Sequence, residues 1–454
     1  MPQPPSAASR DEPVIRDRGD ACPGALRLHA ADDGFLARVR IPGGLLGGVA
    51  ARLLADAADR LGDGHLDLTS RGNVQLRGLG ESCGGELAEL LAAAGLLPAP
   101  SHERVRNIVC SPLTGLDLLG LPDVSPWVAE LDALLCASEA AAGLSGRFLF
   151  ALDDGRGDVT SLDADVNLVP CGGGRALLWA GDPREAVLVS GQDAPRAALV
   201  AAEYFLDAVR EAGTRVWRVA ELAPGHALSG ARLTERLADA GVRAVPATPD
   251  LSARSARSAR SARSVRSGRP PEPGVVPGPD GTASLSVLAP LGRLSTAQWR
   301  RLAGLTGRVR LTPWRGVVVP SLPDPPGPAA AAALAGLADA GLVTAPDSPW
   351  RSVTACTGRP GCAKSLADVR ADARAVMERA RGPLPVHWSG CERRCGHPRG
   401  AAWVDLVATP AGYDLHLEGR APRRGVPERE LAPALADARH ADHVRDNLPD
   451  SVQK

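Results

Sequence analysis

Lysine is almost missing from this 454-residue sequence: Lys364 and Lys454 stand against 50 arginines. A chain that uses Arg wherever a generic cation will do makes any single Arg weak evidence for a site, and makes Lys364, two residues after Cys362, the less ordinary choice. Net charge is lacking too. Lys plus Arg and Asp plus Glu are 52 each, so no bulk basic surface argues for nucleic acid, and a small-molecule partner is the expectation. No run approaches the roughly 18 apolar residues of a membrane span, and Met1 to Ala21 is rich in Pro and charge without the apolar core of a secretory signal. A cytoplasmic protein without a membrane partner is expected. A disulfide framework is missing as well: the nine cysteines are an odd number, and Cys22, Cys83, Cys110, Cys136 and Cys171 are scattered singly, as in a reducing compartment. The length suits about three domains, and 44% apolar residues suffice for their cores.

The remaining four cysteines form a pattern. Cys356 and Cys362 make Cys-x5-Cys, and Cys391 and Cys395 make Cys-x3-Cys after a helix-length gap. Four thiolates on two short loops suit a [4Fe–4S] cluster, whose irons need soft anionic ligands and whose bulk needs wider spacing than one small ion. Structural zinc favours tighter pairs, so the five-residue gap weighs against zinc without removing it. Gly358, Gly361, Gly390 and Gly396 flank the cysteines and let amide N–H groups turn toward sulfur. Between the loops, Ser365-Leu366-Ala367-Asp368 resembles a capping box, and Leu366, Val369, Ala373 and Val376 follow helical spacing, which predicts one buried helix separating the ligand loops.

Residues 252 to 269 repeat Ser-Ala-Arg and end in Gly268-Arg269-Pro270-Pro271, a basic low-complexity linker with no apolar face to bury. On either side the chain repeats itself. A strand at Gly34 to Ile41, an amphipathic helix at Leu45 to Leu61 and a strand-turn-strand at His65 to Leu79 correspond to Ala283 to Leu288, Ser295 to Leu305 and Arg308 to Pro320. Leu68-Thr69-Ser70-Arg71-Gly72 resembles Leu311-Thr312-Pro313-Trp314-Arg315-Gly316. The repeat predicts pseudo-twofold halves packed on one another, each followed by a larger α/β segment.

In the first copy, Thr69, Arg71, Asn73, Gln75 and Arg77 alternate with smaller or apolar residues, as on one face of a strand. Such a row would span roughly 26 Å at about 3.3 Å per residue, enough to run under a large flat polycarboxylate and hold it with Arg forks. The same alternation also describes a solvated strand face. Arg106-Asn107 and Arg147 are further cations whose convergence spacing cannot show.

Together, the cysteine loops, the Thr-x-Arg-x-Asn-x-Gln-x-Arg segment, Arg106-Asn107-Ile108-Val109-Cys110 and the duplicated halves resemble the sulfite/nitrite reductase family over nearly all of residues 25 to 440. The resemblance implies an α+β / α/β fold, with two ferredoxin-like halves forming one domain plus two α/β domains. The corresponding boundaries are a tail at 1–24, a first half at 25–97, an α/β domain at 98–247, the linker at 248–281, a second half at 282–347, a cluster-binding α/β domain at 348–440 and a tail at 441–454. It implies that Cys356, Cys362, Cys391 and Cys395 bind a [4Fe–4S] cluster, with the last bridging to sirohaem in the reductases. Arg71, Arg106 and Arg147 would then be catalytic, and Asn73, Gln75 and Arg77 would bind substrate.

One departure narrows the branch. The sulfite reductases carry two active-site lysines in Lys-Phe-Lys, where this chain has Arg147-Phe148-Leu149, and Leu149 can neither bind an oxyanion nor relay a proton. With Gly146 to Asp154 and Asp163-Ala164-Asp165-Val166, the chain is most similar to the branch that makes precorrin-3B. That similarity implies an O2-dependent monooxygenase that hydroxylates C20 of the tetrapyrrole precorrin-3A and closes a γ-lactone, in aerobic cobalamin synthesis. It also implies NADH-derived electrons delivered by a partner reductase, and a mononuclear non-haem iron. Ligand types for such an iron occur at His65-x-Asp67 and at His440-x-Asp442-His443, each of which also reads as an ordinary surface or strand pair. The alternatives are a sirohaem-dependent sulfite or nitrite reductase, and a non-catalytic iron-sulfur carrier or sensor that needs only the cysteine loops.

Overall fold

Small residues decide how the two repeats meet. The computed structural model describes residue 20 and residues 22–247, 270–322, 327–398 and 402–440. The Ser-Ala-Arg run and the tail at 441–454 lie outside these residues. The first half comprises β1 (His29–Ala31), β2 (Gly34–Val39), β3 (Leu45–Gly47), α1 (Gly48–Leu61), β4 (His65–Leu68), β5 (Val74–Leu79) and α2 (Gly84–Ala93). An α/β domain follows, with β6 (Ile108–Cys110), α3 (Ser125–Ala137), β7 (Phe150–Leu152), β8 (Val166–Cys171), β9 (Arg175–Ala180), β10 (Val187–Ser190), α4 (Ala194–Ala212), α5 (Gly230–Asp239) and β11 (Ala244–Pro246). The second half runs through β12 (Gly274–Pro277), β13 (Ala283–Leu288), β14 (Arg293–Ser295), α6 (Thr296–Thr306), β15 (Arg308–Leu311), β16 (Gly316–Leu322) and α7 (Pro328–Asp339). The last domain holds β17 (Val353–Ala355), α8 (Val369–Val376), β18 (Val386–Ser389), β19 (Val404–Thr409), β20 (Gly412–His416), β21 (Arg423–Val426) and α9 (Glu428–His440).

The buried face of α1 is mostly alanine, at Ala50, Ala51, Ala55, Ala57 and Ala58, so α6 can approach closely. Trp299 of α6 is fully buried there, and its indole N–H donates to Ala51 O at 2.7 Å. The halves also exchange strands. β3 pairs with β15, and β14 pairs with β4, so the sheets run β1-β2-β5-β4-β14 and β12-β13-β16-β15-β3. One apolar core therefore spans both halves. This exchange corrects the helices expected from Leu45 and Ser295: the residues ahead of Gly48 and Thr296 are the exchanged strands. It also accompanies an earlier start for the second half, because β12 lies inside the expected linker and pairs with β13.

The row from Thr69 to Arg77 is not a single strand. Gly72 takes φ 65°, Thr69 N–H donates to Asn73 O at 2.9 Å and the Thr69 hydroxyl accepts from Asn73 N–H at 3.1 Å, so a turn precedes β5. The second half builds the same turn on Thr312, whose N–H donates to Gly316 O at 2.9 Å and whose hydroxyl accepts from Gly316 N–H at 3.0 Å. Arg315, at φ 62°, takes the place of Gly72, which makes Trp314 the counterpart of Arg71.

The two α/β domains also correspond. In each, three strands are parallel, β6-β7-β8 and β17-β18-β19, and antiparallel strands extend the sheet. Just past the first strand, Ser111 N–H donates to Leu152 O at 3.1 Å and Cys356 N–H donates to Trp388 O at 2.9 Å. Ser111 and Cys356 thus occupy equivalent places at the carboxyl ends of parallel strands, where α/β sheets bind ligands. Among the described residues, no helix is long and apolar enough to cross a membrane.

Candidate active site

The cysteine loops leave the ends of adjacent parallel strands: Cys356 directly follows β17, and Cys391 follows β18 by one residue. They are stitched together. Gly390 N–H donates to Cys356 Sγ at 3.2 Å and Leu366 N–H donates to Gly390 O at 2.8 Å. Ser365 packs so tightly on Gly390 that a Cβ there would stand 1.9 Å from its hydroxyl. That role corrects the expected capping box: α8 starts only at Val369, where the Asp368 carboxylate accepts Ala371 N–H at 3.1 Å, and Leu366 is exposed. In the second loop, Arg394 adopts φ 48° and ion-pairs at 2.8 Å with Asp405, a buried residue of β19.

Burial pushes the Cys356 thiol up, while N–H groups of Gly390 and Gly358 favour its thiolate. Among the described residues, no three His, Cys, Asp or Glu side chains converge as one metal ion requires. Four thiols on two mutually bonded loops fit the larger body of a cluster. His387 of β18 lies beneath, fully buried, with Nδ1 at 2.8 Å from the Thr354 hydroxyl. Burial pulls its imidazole down to about 4, so it is neutral near pH 7.

A cleft of about 1180 Å³ opens beside the second loop, lined by Gly396 and His397 together with Leu149, Trp314 and Arg315. At Ser70, Arg71, Asp163 and Arg218 it meets a second cleft of about 1030 Å³, lined by Arg38, Arg40, Arg71, Arg147 and Arg218. These cations are crowded. Burial and the neighbouring Arg218 pull Arg71 down to about 10, and burial and Arg38 pull Arg40 down to about 9. Arg38 donates to Gln75 Oε1 at 3.2 Å, while its buried Nε has no hydrogen-bond partner among the described residues. Arg147 lies 4.6 Å over the Trp217 ring, and Arg218 Nε donates to Asp165 at 2.6 Å. Crowded, desolvated like charges are relieved by an anion with several carboxylates.

The expected site residues divide. Arg71 and Arg147 line the cleft. Asn73 also touches it, but its Oδ1 accepts Ile41 N–H at 2.8 Å and its Nδ2 donates to Asn107 Oδ1 at 3.2 Å, so it braces the turn. Gln75 holds Arg38. Arg106, expected to be catalytic, is a buried brace that forks Asp132 with two 2.6 Å bonds and donates to Leu96 O at 3.0 Å. Arg77, expected on the substrate, forks Asp33 at 2.8 and 2.7 Å and donates to Gly361 O at 2.9 Å, beside Cys362. Both are corrected by partners distant in sequence. Of the residues considered for a mononuclear iron, Asp67 is bound by Arg293 and Arg370, each at 3.1 Å. His65 lies beside Asp63, His440 bonds Ala436 O at 2.8 Å, and Asp442 and His443 lie outside the described residues. Arg38, Arg40, Arg218 and Trp314 were not anticipated. The first two had a signal: Arg38 on β2 and Arg40 just beyond it alternate, and Arg38 stands opposite Gln75.

The comparisons agree with this architecture. The nitrite/sulfite reductase ferredoxin-like half domain matches twice, at residues 28–94 and 276–337. A precorrin-3B synthase from Sinorhizobium sp. is 28% identical, over 93% of this chain and 88% of the relative. A ferredoxin–nitrite reductase from Synechococcus elongatus is 27% identical, over 85% of this chain and 82% of the relative. The solved structure of the NirA protein of Mycobacterium tuberculosis superposes with a TM-score of 0.59 at 20% identity, covering 92% of this chain and 82% of that one. With two ferredoxin-like half domains, exchanged strands and relatives of both kinds along most of its length, this chain is an oxidoreductase with a nitrite/sulfite reductase-like fold.

Proposed function

We propose that this protein is an O2-dependent monooxygenase that converts precorrin-3A to precorrin-3B, hydroxylating C20 and closing a γ-lactone. The observation that carries this over a sulfite or nitrite reductase is Leu149. It is 3% exposed, packs with Val109, Ala151, Val159 and Ala164, and lines the cleft where the sulfite reductases place a second lysine. Arg38, Arg71, Arg147 and Arg218 offer cations to the substrate's carboxylates, Arg40, which donates to Arg104 O at 3.0 Å and Gly146 O at 3.4 Å, adds charge behind them, and Trp314 offers a flat apolar face to the macrocycle. Leu149 excludes water from that face. Cys356, Cys362, Cys391 and Cys395 would hold a [4Fe–4S] cluster, which supplies single electrons when bound. Exposed Arg359, Lys364 and Arg393 ring the cysteine loops and suit an acidic electron-donating partner fed from NADH. The described residues give no ligand set for a mononuclear iron.

Anaerobically reconstituted protein given precorrin-3A, a reductant and labelled O2 should yield a product carrying one labelled oxygen and a lactone. The sirohaem reductase reading, favoured by the Synechococcus relative's nearly equal identity, predicts instead consumption of nitrite or sulfite and no oxygenated tetrapyrrole.

A further inference from the structure

The cleft does not use the contacts at the far end of β5. There the first half reaches across to the Cys-x5-Cys loop at three places. Arg77, 4% exposed, is held in a bidentate fork by Asp33 and donates its Nη2 to Gly361 O at 2.9 Å. Asp32, its neighbour in the β1–β2 turn, accepts Ala363 N–H at 2.6 Å. Arg370 of α8 donates to Cys356 O at 3.4 Å and to Asp67 of β4 at 3.1 Å. The peptides on both sides of Cys362 are therefore fixed by the same two-residue turn. Gly361 leaves no slack: a Cβ there would stand 2.7 Å from Asp33 Oδ2 and 3.1 Å from Arg77 Nη2.

From this geometry we infer that Asp32, Asp33 and Arg77 are positioning residues for the cluster, holding Cys362 in place relative to Cys356. The inference rests on the reading of the four cysteines as cluster ligands. The loop between the two cysteines belongs to no helix or strand, and each unrestrained residue would lose backbone freedom when a cluster binds. A trans peptide is planar, so clamping Gly361 O also fixes the direction of Cys362 N–H. The Arg77–Asp33 fork adds no net charge, so the strap acts through geometry. Retention of the cluster thus depends on a turn more than 300 residues away in sequence.

The full chain, reconstituted anaerobically with iron and sulfide, is challenged with a ferrous chelator while cluster absorbance and the reduced-state EPR spectrum are followed. Removing a positioning partner of a metal ligand typically weakens binding about 10–100-fold, and cluster loss in Arg77→Ala should accelerate on that scale. Arg77→Lys, which cannot fork Asp33 and reach Gly361 together, should fall between. Asp32→Ala changes an exposed side chain, and should speed loss several-fold with an altered EPR line shape and an unchanged apo-protein melting temperature. If Asp32→Ala and Arg77→Lys both release the cluster at the wild-type rate, with the wild-type spectrum, the strap is overturned. A wild-type chain that takes up no iron and sulfide would instead overturn the cluster reading, and the strap with it.

Discussion

Two equivalent crevices at the ends of parallel strands are furnished in opposite ways. Beyond β17 and β18 stand four thiols. Beyond β6 and β7 stand Ser111, Asp153, Asp154 and Asp158, all buried, with Arg156 among them. Arg156 reaches Asp154 at 2.7 Å and Asp117 at 2.8 Å, the Ser111 hydroxyl donates to Asp158 at 2.6 Å, and Asp153 accepts N–H bonds from Gly155 and Gly157 at 2.8 Å. That crevice carries its own cation. The cysteine crevice differs: its hydrogen bonds tie the loops to each other and to their neighbours, and Cys395 is exposed. One topology forms a closed brace in one domain and, on the proposed reading, a ligand cradle in the other.

Breaking the cradle should give the largest effect. Cys391→Ser is expected to lose cluster iron and all activity while the fold persists, whereas Ser111→Cys, at the place equivalent to Cys356, should leave the iron count unchanged; iron and sulfide analysis of both variants tests this. Breaking the brace comes next. Arg156→Ala strands Asp154 and Asp117 without their cation and should cost about 3–5 kcal/mol in denaturant unfolding, without lowering the cluster content.

The brace also carries a pH signature. Burial, reinforced by Asp153, pushes Asp158 from its ordinary 3.8 up to about 8. Between those values the folded chain holds a proton that the unfolded chain has released, so this group's contribution to stability is full at low pH and declines as pH rises toward 8. Asp158→Asn should flatten that decline in melting curves taken across the range.

The arginines sharpen the comparison further. Arg71→Ala removes a charged fork from the cleft, worth about 1.5–3 kcal/mol, and should raise KM for the tetrapyrrole about tenfold or more with little change in melting temperature. Arg106→Ala should do the opposite, lowering stability through the unpaired Asp132 and leaving KM unchanged. Arg147→Lys keeps the charge but weakens the packing on Trp217, so only a few-fold rise in KM is expected.

The sequence made the cysteine spacing, the duplication and α8 legible, because each is a local signal. It did not separate Arg71 from Arg77. Both belong to one alternating row, yet the left-handed Gly72 turns Arg71 into the cleft, and Asp33, 44 residues away, draws Arg77 to the first cysteine loop. Arg106 failed for the same reason, since it lies in the loop before β6 and Asp132 comes from α3. The exchanged strands were hidden because Leu45-Leu46-Gly47 reads equally as the first turn of α1, and only pairing with β15 decides. Asymmetric partners across domains, rather than local pattern, set these roles.

The central claim is that the cysteine crevice holds an iron-sulfur cluster in a protein whose macrocycle is a substrate, not a resident haem. An anaerobic absorption spectrum with iron and acid-labile sulfide counts tests it most directly. The account predicts a broad cluster band, about four irons and four sulfides per chain, and no haem features. Sharp sirohaem bands, or a chain without iron, would contradict it.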